Sequence, residues 1–276
     1  MEQSRDKRLC GLASSSVKLG RKLQKLITGD AFASAVRHTR DAYPRRPLAL
    51  DAARITRTVQ AEKFAEIRQR HAVPGPTDGW PKYLDLERWM RINLQRVREV
   101  GLDLGRRKRI LDLGCGTGYF LYICQYFGHE VLGLDIDITP GFAEMVALLA
   151  IPRVIWQIAP FVPLPALGGK FDVIAAHMIC FNGHKSDQLW GIREWQFFLD
   201  DLAQHLRPRG LIALEFNRED DSTHYTPELK AYFESRGAEL HTQRVRFSRL
   251  GHAPGAGARA LAGFRTCFTP MTRPTA

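Results

Sequence analysis

Acidic residues are missing from one end of this chain: after Glu239 there are none, while six arginines follow. Cysteine is also sparse. The five, at positions 10, 115, 124, 180 and 267, are odd in number, scattered and without a C-x-x-C pair. That argues against a disulfide framework and against a zinc site, and it suits a reducing cytoplasm. No apolar run approaches the ~18 residues that span a bilayer. Leu9 to Val17 is broken by three serines and makes a poor signal-peptide core. The shortage of acids there, with Ser and Arg present, can imitate an organelle transit peptide, a minor reading. Internal repeats are absent, and aromatics are not interleaved with the basic runs as in a stacking platform for single strands.

What is present is ordinary in bulk and uneven in charge. The 276 residues are 45% apolar and 25% charged, enough for one large domain, or a domain with a helical appendage, and a sizeable core. Of the formal charge of +11, +7 resides in residues 1–46, where eleven Lys/Arg meet four Asp/Glu. Basic ends of this kind touch nucleic acid, acidic lipid or an anionic substrate. A solvated, loosely ordered tail explains them as well.

The most informative stretch is Arg109-Ile110-Leu111-Asp112-Leu113-Gly114-Cys115-Gly116-Thr117-Gly118-Tyr119-Phe120. Ile110 to Leu113 reads as a buried strand interrupted by one carboxylate. Three alternating glycines follow, then an apolar run that starts a helix. Glycines let the chain turn tightly and let a ligand approach atoms that a Cβ would cover. Strand, glycine turn and helix N-terminus together form a nucleotide-binding corner, with free N–H groups expected to face the ligand. The next apolar run, Glu130 to Asp137, carries Asp135, 17 positions after Gly118. An acid at the tip of a second βαβ strand is placed to accept hydrogen bonds from ribose hydroxyls.

Two cofactors compete for such a corner. The dinucleotide pattern G-x-G-x-x-G requires its third glycine where Tyr119 stands. Asp112, two residues before the first glycine, would also repel a pyrophosphate. A ligand with an amino group and a sulfonium tolerates Asp112, which favours S-adenosylmethionine over a nicotinamide cofactor.

Leu111-Asp112-Leu113-Gly114-Cys115-Gly116-Thr117-Gly118 resembles the first motif of class I S-adenosylmethionine-dependent methyltransferases, and Gly133-Leu134-Asp135 resembles their ribose-binding motif. The resemblance runs from roughly Tyr83 to Glu239. It implies a Rossmann-like α/β fold with a mostly parallel seven-stranded sheet, helices on both faces and, here, an N-terminal helical extension. It also implies that Asp112, Gly114, Cys115, Gly116 and Gly118 surround the methionine part of the cofactor. Asp135 would hold the ribose hydroxyls, and Ile136 would lie against the adenine. Cys115 reads as a small residue in the turn and not as a nucleophile. At the third strand the chain departs from the family: Gln157-Ile158-Ala159-Pro160-Phe161 has no acid for the adenine amino group. Main-chain groups, Gln157 or apolar packing must replace it.

The rest of the chain alternates strands and helices, the pattern of a covered parallel sheet. Residues 1–46 read as a basic, loosely ordered extension with a short amphipathic helix at Val17–Ile27. Residues 47–82 read as one helix from Asp51 to about His71 and a Pro/Gly-rich linker, Val73 to Pro81. The S-adenosylmethionine-binding domain then occupies 83–276. It opens with a helix over Leu84–Val100, with Leu86, Trp89, Met90, Leu94, Val97 and Val100 at the 3.6 period and Arg88, Arg91, Arg96 and Arg98 on the surface. Further strands are expected at Val154–Ile158, Phe171–Ala176 and Leu211–Phe216, with helices at Phe142–Leu149, Glu194–Leu206 and Pro227–Arg236.

The loop after the fourth strand, His177 to Lys185, flanks the transferred methyl group in the family. It is not the Asn/Asp-Pro-Pro-Tyr loop of many methyltransferases acting on nucleic acid bases or on glutamine, which weighs against an amide or adenine-N6 acceptor. His184 is the first candidate for a catalytic base and His177 the second, since His titrates near neutrality. Asn182 either orients an acceptor or shapes the turn. Trp190 and Trp195 wall the pocket or pack a helix, and Trp80 with Tyr83 can form a lid. The expectation is therefore a methyltransferase acting on O, N or C of a small-molecule acceptor, without a metal. Its rivals are an RNA methyltransferase using the basic termini and a binding-only S-adenosylmethionine protein. A nicotinamide dehydrogenase is more distant.

Overall fold

A computed structural model describes residues 51–72 and 80–248. The helix expected at Val17–Ile27, most of the Pro/Gly-rich linker, the basic extension, the side chain of Trp80 and the end of the chain lie outside the described residues.

Asp51 caps α1 (Ala52–Thr56) by accepting from the Ala53 N–H at 2.9 Å. The single helix expected as far as His71 is in fact two. The Thr56 and Thr58 hydroxyls donate to the carbonyls of Ala52 (2.9 Å) and Ile55 (2.6 Å), local bonds that compete with helix propagation. The chain restarts as α2 (Ala61–Arg70). Ile55, Val59, Phe64 and Ile67 are all buried in the same core as the helices that follow, and Arg70 reaches Glu144 at 2.6 Å. A 3-10 turn, Trp80–Leu84, leads into α3 (Leu86–Glu99), capped by Asp85, which accepts from the Arg88 N–H at 3.0 Å. Met90, Leu94 and Val97 are buried as the periodicity requires. Arg96, expected on the surface, is buried among them. It is paired with Glu215, and that partner is what makes a buried guanidinium tolerable.

The alternating part of the chain comprises β1 (Arg109–Leu113), α4 (Tyr119–Tyr126), β2 (Glu130–Asp135), α5 (Pro140–Leu148), β3 (Arg153–Ile155) and β4 (Phe171–Ile179). It continues with α6 (Ile192–His205), β5 (Leu206–Phe216), α7 (Pro227–Ser235), β6 (Glu239–His241) and β7 (Arg244–Phe247). β3 is shorter than expected, although the Trp156 N–H still donates to the Asp135 carbonyl at 2.9 Å. β4 runs three residues past Ala176. Arg207–Gly210, which follow the helix expected to end at Leu206, form a bulge inside β5, with Arg209 at φ 66° and the register stepping from Phe171↔Leu206 to Val173↔Leu211.

The seven strands form one sheet in the order β3-β2-β1-β4-β5-β7-β6, parallel except for β7, which runs antiparallel to both β5 and β6. The chain winds outward from β1 to β3, then returns to place β4 on the other side of β1. That reversal is the topological switch point, and ligands of open α/β sheets bind beyond the strand ends there. Side chains alternate across the sheet. Ile110, Val131, Val173 and Ala175 pack under α1 to α5, while Leu111, Leu113, Leu134 and Ile174 pack against α6 and α7. Each large apolar side chain removed from water on either face contributes about 1.5–3 kcal/mol. Asp112, between Leu111 and Leu113, therefore faces the α3 layer, level with Ala175. His177 follows two residues along β4 on that face, opposite Glu215 of β5. No helix among the described residues is long and apolar enough to cross a membrane.

Candidate active site

The carboxyl ends of β1, β2 and β4 open into a cavity of about 520 Å³. At one end stand Asp112, Gly114, Gly116, Asp135, Ile136 and Trp156. At the other are Tyr83, Trp89, Asn93, Arg96, His177 and Cys180.

The first end is built largely from main chain. Gly114, Gly116 and Gly118 take φ of 69°, 53° and 79°, which L side chains rarely adopt, and Gly118 also caps α4. The N–H groups of Gly114 and Cys115 both donate to the Leu134 carbonyl (2.7 and 3.2 Å), and that of Gly118 to the Cys115 carbonyl at 2.9 Å. The Gly116 N–H donates to Asp135 Oδ2 at 2.5 Å, and the Ile136 N–H to Asp135 Oδ1 at 2.7 Å. The turn was expected to present free N–H groups to a ligand. Instead the amides of Gly114, Cys115, Gly116 and Gly118 are engaged inside the protein, because the turn closes on the neighbouring strand. A pyrophosphate would find few donors here.

Asp135 thus holds the turn as well as lining the cavity. Burial pushes its carboxyl up, and the two amide bonds work against that shift. Asp112 is 3% exposed, and its Oδ1 has no hydrogen-bond partner. Burial holds its carboxyl well above the usual range; Arg96 opposes this, and nearby Asp135 reinforces it. Cys115 packs beneath β2: a Cβ on Gly133 would lie 2.6 Å from its sulfur. Burial pushes that thiol up, so it is no nucleophile.

The second end is built from side chains. Trp89 and Tyr83 lie 4.7 Å apart between ring centres, and Phe142 meets Tyr83 edge-on at 5.3 Å. The Tyr119 hydroxyl and Trp89 Nε1 donate to the carbonyls of Tyr83 (2.8 Å) and Lys82 (2.7 Å), which fixes this aromatic wall. Below it, Arg96 Nε donates to Glu215 Oε2 at 2.8 Å and Arg96 Nη1 to Asn93 Oδ1 at 3.1 Å. Gln243 Nε2 donates to Glu215 Oε1 at 2.6 Å. His177 stacks edge-on over Phe120 at 4.5 Å, with Nδ1 3.4 Å from Glu215 Oε2 but not aligned for a hydrogen bond. Burial lowers His177 to about 4, against the pull of Glu215. Burial also works to raise Glu215, yet His177 and Arg96 beside it hold it at about 2.

Other expected residues fall elsewhere. His184 does not line the cavity; its Nδ1 is 3.1 Å from Glu219 Oε1, while Glu219 Oε2 accepts from the Lys185 N–H at 2.8 Å. Asn182, Trp190 and Trp195 border a separate cavity of about 250 Å³. The two tryptophans pack with each other and with Phe198, as helix-packing residues do. Gln157 does line the main cavity, beside Trp156. Asn93, Arg96, Glu215 and Trp156 were not singled out from the sequence. A signal existed for Glu215, a lone acid in the apolar run Leu211–Phe216, the same mark that identified Asp112. Asn93 was likewise visible as a polar residue one turn past Trp89.

Two curated proteins resemble the chain over part of its length. One is the secondary metabolism regulator laeA of Coprinopsis cinerea, 29% identical over 110 residues, 39% of this chain and 24% of that protein. The other is a tRNA U34 carboxymethyltransferase of Marinobacter nauticus, 32% identical over 109 residues, 39% of this chain and 30% of that protein. The chain therefore matches about a quarter to a third of the length of these relatives. Among solved structures, the glycopeptide N-methyltransferase MtfA overlaps 47% of this chain and 54% of its own, at 15% identity and a TM-score of 0.36. The broadest of these matches is to a family described as "Methyltransferase domain", over residues 85–252. It spans more than half of the chain and the strands that build the cavity, and so the chain belongs to the methyltransferase-domain family, of the class I S-adenosylmethionine-dependent kind.

Proposed function

We propose that the chain transfers the methyl group of S-adenosylmethionine to an O, N or C atom of a small-molecule acceptor. One observation carries this reading: Asp112 lines the cavity with a buried oxygen that has no hydrogen-bond partner. An ammonium donor suits that oxygen, and a phosphate does not. The engaged amides of the glycine turn point the same way. When bound, S-adenosylmethionine supplies a methyl group on a positively charged sulfur.

In this reading Asp112 accepts from the amino group of the cofactor. Asp135 keeps lone pairs for the ribose hydroxyls, and Ile136, Trp156 and Gln157 border the adenine. Tyr83, Trp89 and Phe142 exclude water from the reacting end. Positioning supplies much of the rate when an acceptor lone pair is held in line with a breaking bond. A general base at His184 has no support from its position, and both His177 nitrogens are buried. The acceptor atom in this reading is activated without help from these two histidines. A cytoplasmic location is part of the same proposal. The RNA reading has in its favour the arginines on the exposed face of α3.

Calorimetric titration of S-adenosylmethionine and S-adenosylhomocysteine tests this, with NADH as control. Wild type should bind both adenosyl ligands at micromolar strength or better, about −8 kcal/mol, and give no NADH response. Asp112→Asn and Asp135→Ala should each bind far more weakly. A folded wild type that binds neither adenosyl ligand overturns the proposal. Appearance of S-adenosylhomocysteine in the presence of an acceptor distinguishes an enzyme from a binding-only protein.

A further inference from the structure

Helix α3 carries two adjacent stripes. Trp89, Asn93 and Arg96, at i, i+4 and i+7, line the main cavity. Arg88, Ile92 and Gln95 repeat that spacing one residue earlier and, with Arg91, line a separate surface groove of about 510 Å³. Arg244, at the start of β7, closes the groove opposite α3, and Arg96 with Glu215 forms its inner wall. The two spaces thus meet at Arg96, which lines both.

The charges in the groove do not balance. Arg96 and Glu215 neutralise each other at 2.8 Å, and Arg244 is matched by Glu99 at 3.0 Å. Arg88 and Arg91 are exposed and form no ion pair among the described residues. They lie on neighbouring turns of one helix face, within reach of a single ligand. Two uncompensated guanidiniums match a phosphate ester, which carries about −1.5 to −2 at neutral pH as a monoester and about −1 as a diester of a nucleic acid backbone, and the planar fork of Arg suits its oxygens.

We propose that this groove binds a phosphoryl group of the methyl acceptor. The group anchors on Arg88 and Arg91, with Arg244 at the rim, while the atom to be methylated enters the cavity past Arg96 and Asn93. The inference rests on the methyltransferase reading and narrows its acceptor class to phosphate esters. Such an ester is either a small molecule or part of an RNA backbone.

The test uses the full chain and three probes: inorganic phosphate, glycerol 3-phosphate and a short fluorescent single-stranded RNA. Wild type is compared with Arg88→Gln/Arg91→Gln and with a charge-matched control, Arg57→Gln/Arg98→Gln, at exposed positions outside the groove. Gln favours helix, so the fold should survive, and S-adenosylhomocysteine binding reports on that. The groove variant should lose about tenfold or more in affinity, as expected for two charge-assisted contacts, while the control stays within about twofold. A loss seen with glycerol 3-phosphate and phosphate marks a small phosphorylated acceptor; a loss confined to RNA marks a polynucleotide. Equal affinities of groove and control variants for every probe, including no binding at all, overturn the proposal. If wild type shows the groove effect but binds no S-adenosylhomocysteine, the cofactor reading fails and the phosphate site stands.

Discussion

The two ends of the cavity are made of different material. Around Gly114 to Gly118, main-chain amides bond to the Leu134 and Cys115 carbonyls and to the Asp135 carboxylate, all within βαβ reach along the chain. Around His177, the structure depends on Asn93 and Arg96 of α3, Glu215 of β5 and Gln243 before β7, residues up to 150 positions apart that meet only once the sheet is assembled. The first end tolerates changes of side chain as long as the backbone can still turn. The second is a cluster of buried charges, in which each member is tolerable only because of the others.

The largest break in this comparison is Glu215→Ala. It leaves Arg96 buried without a counter-charge, at a cost of about 3–5 kcal/mol, read from urea unfolding. Replacing both partners, Arg96→Met with Glu215→Met, should recover most of that loss. A single variant within 1 kcal/mol of wild type would mean that water reaches the pair and the cluster is not closed. The same cluster should govern stability in acid. His177 is lowered from 6.5 to about 4, so it contributes fully above pH 6.5, and its contribution is lost as pH falls through about 4. The loss is on the order of 3 kcal/mol. Glu215, held at about 2, extends the decline below pH 4.5. His177→Gln should flatten the limb between pH 6.5 and 4, and an unchanged limb would assign it to other groups.

At the glycine-turn end the corresponding break is steric. In Gly133→Ala the new Cβ meets the Cys115 sulfur at 2.6 Å and Leu121 Cδ1 at 3.2 Å. Overpacking of this kind costs about 1–3 kcal/mol, and it should weaken S-adenosylhomocysteine binding by displacing the glycine turn. Adding Cys115→Ala removes the sulfur and should restore much of both. If the double variant is no better than Gly133→Ala, the thiol is not what the turn rests on.

How much could be read in advance follows the same division. Asp112, the three glycines and Asp135 announce themselves because their roles are set by neighbours in sequence: an acid within an apolar run, glycines at alternate positions. β1, β2, α3 and the alternation of elements were legible for the same reason. Arg96 was misplaced on the surface because its partner is 119 positions away, and periodicity alone cannot show a non-local ion pair. The helix break at Thr56–Thr58 depends on side-chain hydroxyls choosing carbonyls, and the bulge at Arg209 on pairing with β4. Neither leaves a strong mark in a single sequence. Trp156 was hidden inside an apolar strand, where an aromatic reads as core.

The smallest expected effect concerns His184, the residue that the loop sequence favoured as a base. Removing a general base costs about 10²–10⁴-fold in rate. In the structure His184 contacts Glu219, which also holds the Lys185 amide, and it borders no part of the main cavity. His184→Ala therefore removes one contact from a loop whose anchor keeps its second bond. Once an acceptor is in hand, kcat/KM should fall by about threefold or less, the scale of a single weakened loop contact, with the shape of the pH–rate profile unchanged. A hundredfold fall in kcat, with a lost limb in that profile, would bring the loop over the cavity in the reacting state. The His177 end of the cavity would then be completed by motion, not by the side chains of α3, β4 and β5 alone.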